Sequence, residues 1–217
     1  MDADLAELRV LGCLIEKQRT TPDAYPLSLN ALRAACNQAT NREPVASYDE
    51  PTIREALARL SRRGWVRLAS GPGSRAAKYR HLLAEALDLS AAQISLLAVL
   101  MLRGPQTLGE LKGRSERLHR FESLGEVERT LGDLAARELI ARLPRRPGQK
   151  EDRYAQLLGD PSNTPTASAL EPGFPDEPSV RTAVRENGLE TRVVRLEQEM
   201  SSLRAALESL RRGREGA

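Results

Sequence analysis

Guanidinium groups are the side chains whose type and spacing best suggest chemistry in this sequence. Over residues 49–64, Thr52, Arg54, Glu55, Ala58 and Arg59 fall opposite Ile53, Ala56, Leu57 and Leu60 on a predicted helix, and Arg62 and Arg63 close it. Guanidiniums along one helix contact phosphates and can read guanine edges bidentately in a major groove. Arg75 and Lys78, in a predicted hairpin just downstream, are spaced to touch flanking backbone or a minor groove. The same residues also read as solvated arginines of an arginine-rich chain. A later predicted helix shows Glu126, Glu128, Arg129, Asp133, Arg137 and Glu138, a partly acidic face that phosphates repel. Behind it stand Arg142, Arg145, Arg146 and Lys150, so this second set fits either a hairpin on a phosphate backbone or a helix on a protein partner.

Catalytic constellations are harder to assemble. His81 and His119 lie far apart, and neither has Cys, Asp or Glu around it at a metal-ligand spacing. Gly71-Pro72-Gly73 lacks the Lys-Ser/Thr of a phosphate-binding loop, and its proline removes an N–H that such a cradle needs. The carboxylates are scattered and no nucleophile has a base within reach. The expectation is a protein without catalysis, metal or cofactor.

The elements that must position these side chains follow from periodicity. Leu5, Leu8, Leu11, Leu14 and Ile15 recur at helical spacing, Ser28 caps a helix with Leu29, Leu32 and Cys36 inward, and residues 37–48 read as a long loop. Asp49 caps the third helix, which Gly64 should end. Trp65 to Leu68 and Ala76 to His81 alternate as two strands around Gly71-Pro72-Gly73-Ser74. Three helices and a hairpin in this order are the winged-helix variant of the helix-turn-helix module.

The order then recurs. Ser90 caps a helix with Ile94, Leu97, Ala98 and Met101 inward that ends at Gly104-Pro105. Thr107 opens a second helix, and a third begins near Ser123 with Val127, Leu131 and Leu134 inward. Strands at Leu139–Leu143 and Arg153–Tyr154 flank Pro147-Gly148. The returning strands run in parallel pattern, Lys78-Tyr79-Arg80-His81-Leu82-Leu83 against Arg153-Tyr154-Ala155-Gln156-Leu157-Leu158. The expected architecture is mainly α with small β-hairpin wings, an α+β class. It has winged-helix domains at 1–84 and 85–158, a Pro/Ser/Thr-rich flexible linker at 159–184 and a coiled-coil tail at 185–212.

The tail carries Leu189, Leu196, Leu203 and Leu210 at heptad spacing, with Val193, Met200 and Leu207 between them. In a parallel pair Arg185, Arg192 and Glu199 would face Glu190, Glu197 and Arg204 of a second chain, all opposite in sign. These residues are therefore candidates for homodimerisation, with parallel pairing favoured over antiparallel. A solvated amphipathic helix docked on its own chain is the alternative.

The totals set bounds. With 217 residues the chain can build more than one small core without disulfides, and aromatic residues at 3% are too few for a platform that stacks single-stranded bases. A net charge of +3 is mild. No apolar run approaches membrane-spanning length, the first residues are acidic where a secretory signal is basic, and Cys13 and Cys36 fall on apolar helix positions. A cytoplasmic protein with two free core thiols is expected.

The stretch Leu14-Ile15-Glu16-Lys17-Gln18, Thr20-Thr21-Pro22, Tyr25-Pro26-Leu27-Ser28-Leu29-Asn30, Ala35-Cys36-Asn37-Gln38 and Asn41-Arg42-Glu43-Pro44-Val45 resembles the YceH-like (UPF0502) family of bacterial proteins of undetermined function. Arg75, Lys78-Tyr79 and Leu102-Arg103-Gly104-Pro105-Gln106-Thr107 match as well, so the resemblance covers about residues 5–158. It implies two winged helices. Ala39 stands where the family usually has lysine, which removes a possible phosphate contact. Glu16, Lys17, Gln18, Asn30, Asn37, Gln38, Asn41 and Arg42 form a polar set with two readings: pinning the loop through its own backbone, or presenting a surface to a ligand, DNA or protein. The function expected is a homodimeric DNA-binding, transcription-regulator-like protein. A tandem winged-helix adaptor for another protein is the alternative.

Overall fold

Each main helix begins on a side chain able to accept the first free backbone N–H groups. Asp4 and Glu7 form a reciprocal capping box on α1 (Leu5–Thr20), Ser28 caps α2 (Leu29–Cys36), and Asp49 caps α3 (Glu50–Arg62). The computed structural model describes residues 3–69, 76–145 and 148–159. Helix α3 ends as a Schellman turn: Gly64 adopts φ +73°, its N–H donates to Ser61, and the Trp65 N–H donates to Leu60.

Three short strands complete the first half. β1 (Leu27–Ser28), β2 (Val66–Leu68) and β3 (Lys78–His81) form an antiparallel sheet in the order β1-β3-β2, with Leu27 opposite Tyr79 and Val66 opposite His81. After a short α4 (Leu83–Ala86) the plan repeats. Ser90, Thr107 and Ser123 cap α5 (Ala91–Arg103), α6 (Leu108–Ser115) and α7 (Leu124–Ala136). Strands β4 (Gln106–Thr107), β5 (Ile140–Leu143) and β6 (Arg153–Gln156) pair in the order β4-β6-β5. The turn after α7 copies the one after α3, with Glu138 at φ 53° where the first half has glycine. The fold is thus α+β, with the helix and hairpin order expected from the sequence and one further two-residue strand in each half.

The two halves share one core. Every residue from Ala6 to Ile15 in α1 and from Ile94 to Leu102 in α5 is buried, and both runs belong to a single hydrophobic cluster. A helix buried on all sides needs neighbours on all sides. α1 packs on α2 and α3 with one side and on α5 with the other, while α5 also packs on α6, α7 and β6. The approach is close at Gly12, where an added Cβ would lie 2.8 Å from Leu102 Cγ. The described chain closes on itself where the Ala3 N–H donates to Leu158 at 3.1 Å beside a bridge from Ala3 to Gly159.

The linker from 160 onward lies outside the described residues, and so does the heptad tail with Leu189, Val193, Leu196, Met200, Leu203, Leu207 and Leu210. Arg75 and Arg146 lie outside them too. Cys13 and Cys36 are both free thiols in the core. Among the described residues no helix is long and apolar enough to cross a membrane.

Candidate functional site

The arginines of α3 sit in two environments. Arg54 is exposed and shares an i,i+4 pair with Glu50 at 2.7 Å, and Arg62 is exposed on the same helix. Arg59, expected on the outward face, is instead half-buried at the junction with α1, where it meets Asp4, Glu55 at 2.6 Å and Glu7 at 3.4 Å. The cause is the capping box of α1, which holds two carboxylates over the end of α3. Arg63 joins the same acid cluster through Glu7 at 3.5 Å and lies 5.6 Å from the Trp65 ring. Thr52 supplies its N–H to the Asp49 cap, and Lys78 is exposed on β3.

In the second half, the outward side of α7 exposes Glu128, Arg129 and Asp133. Arg142 and Arg145 of the hairpin are drawn together on Asp152, at 2.7 Å and 3.0 Å from their Nε atoms, which holds that carboxyl below its ordinary range. Lys150 is exposed nearby in the chain. Cations are therefore present on both hairpins, but those of the second are partly spent on their own carboxylate.

The polar motif of residues 16–42 resolves into a network centred on Arg42, whose side chain is fully buried. Its Nε donates to Ala35 O at 3.1 Å. Nη1 donates to Asn41 O at 2.8 Å and Glu16 Oε1 at 3.2 Å, and Nη2 to Glu16 Oε2 at 2.6 Å and Gln38 Oε1 at 3.0 Å. This fork-on-carboxylate geometry uses the whole guanidinium. Asn37 clamps the far end of the loop: its Nδ2 donates to Tyr48 O and its Oδ1 accepts from the Tyr48 N–H, both at 2.8 Å. Arg9, also buried, donates to Cys36 O at 3.1 Å and Pro44 O at 2.6 Å. Within the motif, Arg42 and Asn37 thus bind the backbone of their own loop, and Glu16, Lys17 and Gln38 are joined to Arg42 or to one another through side chains. Asn30 is exposed on α2, away from these bonds.

Gln18 serves a different partner. Its Oε1 lies 2.7 Å from His81 Nε2, while the His81 N–H donates to the Tyr25 hydroxyl at 2.9 Å. Burial pushes the His81 imidazole down to about 4 and the Tyr25 phenol up to about 12. His81 is only 3% exposed, so it has no access to a substrate. The neighbouring Cys13 side chain, together with burial, pushes the Cys36 thiol up. Among the described residues no group of three His, Cys, Asp or Glu side chains is arranged to hold a metal ion.

The part of the motif that faces outward does so over a cleft. Glu16, Lys17, Gln38 and Asn41 line one wall of a cavity of about 600 Å³ whose other wall comes from α5 and α6. Arg103 donates to Asn41 Oδ1 across the junction, and the Glu43 N–H donates to Leu102 O at 2.8 Å. The sequence identified the first wall and, separately, Arg103 within Leu102–Thr107; that Arg103 and Arg114 form the opposite wall was missed, because they lie more than sixty residues downstream.

A family described as "Protein of unknown function, DUF480" matches residues 3–149, a span that includes the first half, the second as far as β5, and the cleft. The chain belongs to this family, the UPF0502 proteins. A UPF0502 protein of Citrifermentans bemidjiense is 50% identical over 91% of this chain and 88% of its own length. One of Geobacter sulfurreducens is 46% identical over 91% and 88%, and one of Shewanella sp. strain MR-4 is 42% identical over 97% and 98%. The likeness therefore runs beyond residue 158 into the region of the linker and tail. The UPF0502 resemblance read from the motif at 14–45 is borne out.

Proposed function

We propose that this UPF0502 protein is a non-enzymatic DNA-binding protein, built from two tandem winged-helix units and paired into a homodimer by its C-terminal heptads. The observation that carries the reading is the β1-β3-β2 sheet packed behind α2 and α3, which leaves one side of α3 exposed beside a hairpin. A winged helix meets duplex DNA with those two parts: a helix for the major groove and a hairpin for the flanking backbone. On this chain the exposed cations are Arg54 and Arg62 on α3, with Arg67 and Lys78 on the hairpin strands. The second unit contributes less, since its third helix is partly acidic and two of its hairpin arginines are engaged by Asp152. The absence of catalysis rests on the sequence and on the burial of His81.

The test is fluorescence anisotropy on mixed-sequence duplex DNA at low and physiological salt. Affinity should fall steeply with salt, and the double variant Arg54→Ala, Arg62→Ala should weaken binding about tenfold or more. Unchanged binding in that variant refutes the recognition face. A second reading, an adaptor for another protein, is favoured by α7, where Leu124 is 48% exposed among acidic neighbours. Salt-insensitive capture of one partner with no DNA shift would support it.

A further inference from the structure

The cleft between the halves has a volume of about 600 Å³, that of a small-molecule site. Its chemistry is one-sided. Lys17 comes from α1, Arg103 from α5, Arg114 from α6 and Arg117 from the turn that follows. Against these four cations the lining holds one carboxylate, Glu16, and both of its oxygens are already taken by Arg42. The neighbouring partners leave the cleft cationic. Arg103 is held by the neutral amide of Asn41, and Lys17 reaches Gln38 Oε1 at 3.4 Å and, at 3.6 Å, the Glu16 carboxylate that Arg42 already occupies. Arg114 donates to Gln106 and lies 3.4 Å from Glu110, a carboxylate that it shares with Arg153 at 3.0 Å. Burial, then the charges of Arg114 and Arg42, pull the Arg103 guanidinium below its ordinary value, as crowded like charges do.

Side chains that repel one another need an anion between them to be at ease. Several cations converging on a concave surface also focus potential more strongly than the same cations on a convex one. The cleft is too large for a single inorganic anion. Thr40 adds a hydroxyl, the Thr20 and Thr21 hydroxyls being engaged by the Glu16 and Lys17 carbonyls, and Val99, Leu102 and Leu118 supply aliphatic surface. A polyanionic head and a less polar body match this lining. Duplex DNA does not, because a cavity of about 600 Å³ is too small to admit a duplex.

We propose that this cleft binds a small phosphorylated molecule, with a pyrophosphate-like group held by Lys17, Arg103, Arg114 and Arg117 and its body against Val99, Leu102 and Leu118. The chain then carries a ligand site separate from the α3 face, and the site stands whether or not that face binds DNA.

The experiment uses the full chain, with inorganic pyrophosphate, ATP and adenosine as probes. Isothermal titration and thermal melting are run at low and physiological salt. Pyrophosphate and ATP should bind and raise the melting temperature, ATP more tightly than pyrophosphate, while adenosine should do neither at the same concentrations. Binding should weaken as salt screens the cations. Arg117→Gln, at an exposed position, should keep the unliganded melting temperature and lose about tenfold in affinity, the loss of one charge-assisted contact. Lys17→Gln with Arg117→Gln should lose about a hundredfold. Arg54→Ala should leave the affinity for all three probes unchanged. Failure of pyrophosphate and ATP to bind at millimolar concentration, or full affinity in the double variant, overturns the proposal. So does phosphate binding that Arg54→Ala abolishes, because it would place the anion on α3.

Discussion

Acid should destabilise this fold through one side chain. His81 is 3% exposed, its Nε2 faces Gln18 Oε1, its Nδ1 is buried without a partner, and its pKa is held down to about 4. Desolvation is the main cause. Glu85 works against it, and Arg80 and Arg19 add to it. In the unfolded chain the imidazole titrates near its ordinary value of about 6.5, so the unfolded state takes up the proton first as pH falls. The contribution is therefore complete above about pH 6.5 and is lost on the way down towards pH 4. At 1.36 kcal/mol per unit, the loss between pH 7 and pH 4.5 comes to about 2.5 kcal/mol, a large part of the stability of a small domain. Urea unfolding at pH 7, 6, 5 and 4.5 measures it. His81→Gln keeps a donor for Gln18 but cannot titrate, so its curve should be nearly flat over the same range. Equal slopes for wild type and variant would refute the reasoning. So would an imidazole resonance of His81 that titrates near 6.5 in the folded protein, an assignment made simple by there being two histidines.

Two further changes probe the shared core and the loop network. Gly12→Ala should gain about 0.5–1 kcal/mol of helix propensity but lose about 1–3 kcal/mol by pressing Cβ to within 3 Å of Leu102, giving net destabilisation by urea unfolding. Gly132→Ala, in α7 with open space around it, should gain in the same assay, and equal signs at the two positions would show that α1 and α5 do not meet as described. Arg42→Met should cost about 3–5 kcal/mol by leaving Glu16 largely buried with only Lys17 at 3.6 Å against it. Adding Glu16→Gln should recover more than 1 kcal/mol of that, whereas strict additivity in the double-mutant cycle would mean that the pair does not hold the loop.

The helices were legible because their starts are written in single residues. Ser28, Asp49, Ser90, Thr107 and Ser123 all cap the helices expected of them. Strands β1 and β4 were not legible, since two residues carry no period; they exist because Leu27 and Gln106 meet returning strands fifty residues away. The inward faces assigned to the first and fourth main helices were half of the answer. Leu8 and Leu11 mark one face of α1, but Val10 and Cys13 are as deeply buried on another, since α5 covers it. Likewise Leu96, Val99, Leu100 and Leu102 extend the buried surface of α5 beyond Ile94, Leu97, Ala98 and Met101. Periodicity finds the face an element turns to its own unit. It does not find the face turned to a unit that comes later in the chain. The same limit hid the cleft: Glu16, Lys17, Gln38 and Asn41 stood out in one motif and Arg103 in another, but nothing in the sequence joined the two or marked Arg114 and Arg117.

The exposed ion pair on α3 is weak enough to leave Arg54 available to a phosphate. For Arg54 to reach a phosphate it must leave Glu50, and an exposed i,i+4 pair is worth about 0.3–0.5 kcal/mol. A charge-assisted hydrogen bond contributes about 1.5–3 kcal/mol, so the exchange favours phosphate. Arg59 is different. It is 28% exposed in its side chain and faces Asp4, Glu7 and Glu55 together, so freeing it strands several carboxylates, one of them buried. Its substitution should therefore register mainly as lost stability at the α1–α3 junction, and Arg54 and Arg62 are the positions that separate recognition from folding. In the cleft the balance is tilted further towards binding, because Arg103 gives up a neutral amide partner, and Lys17 a Glu16 carboxylate that Arg42 still holds, when an anion arrives.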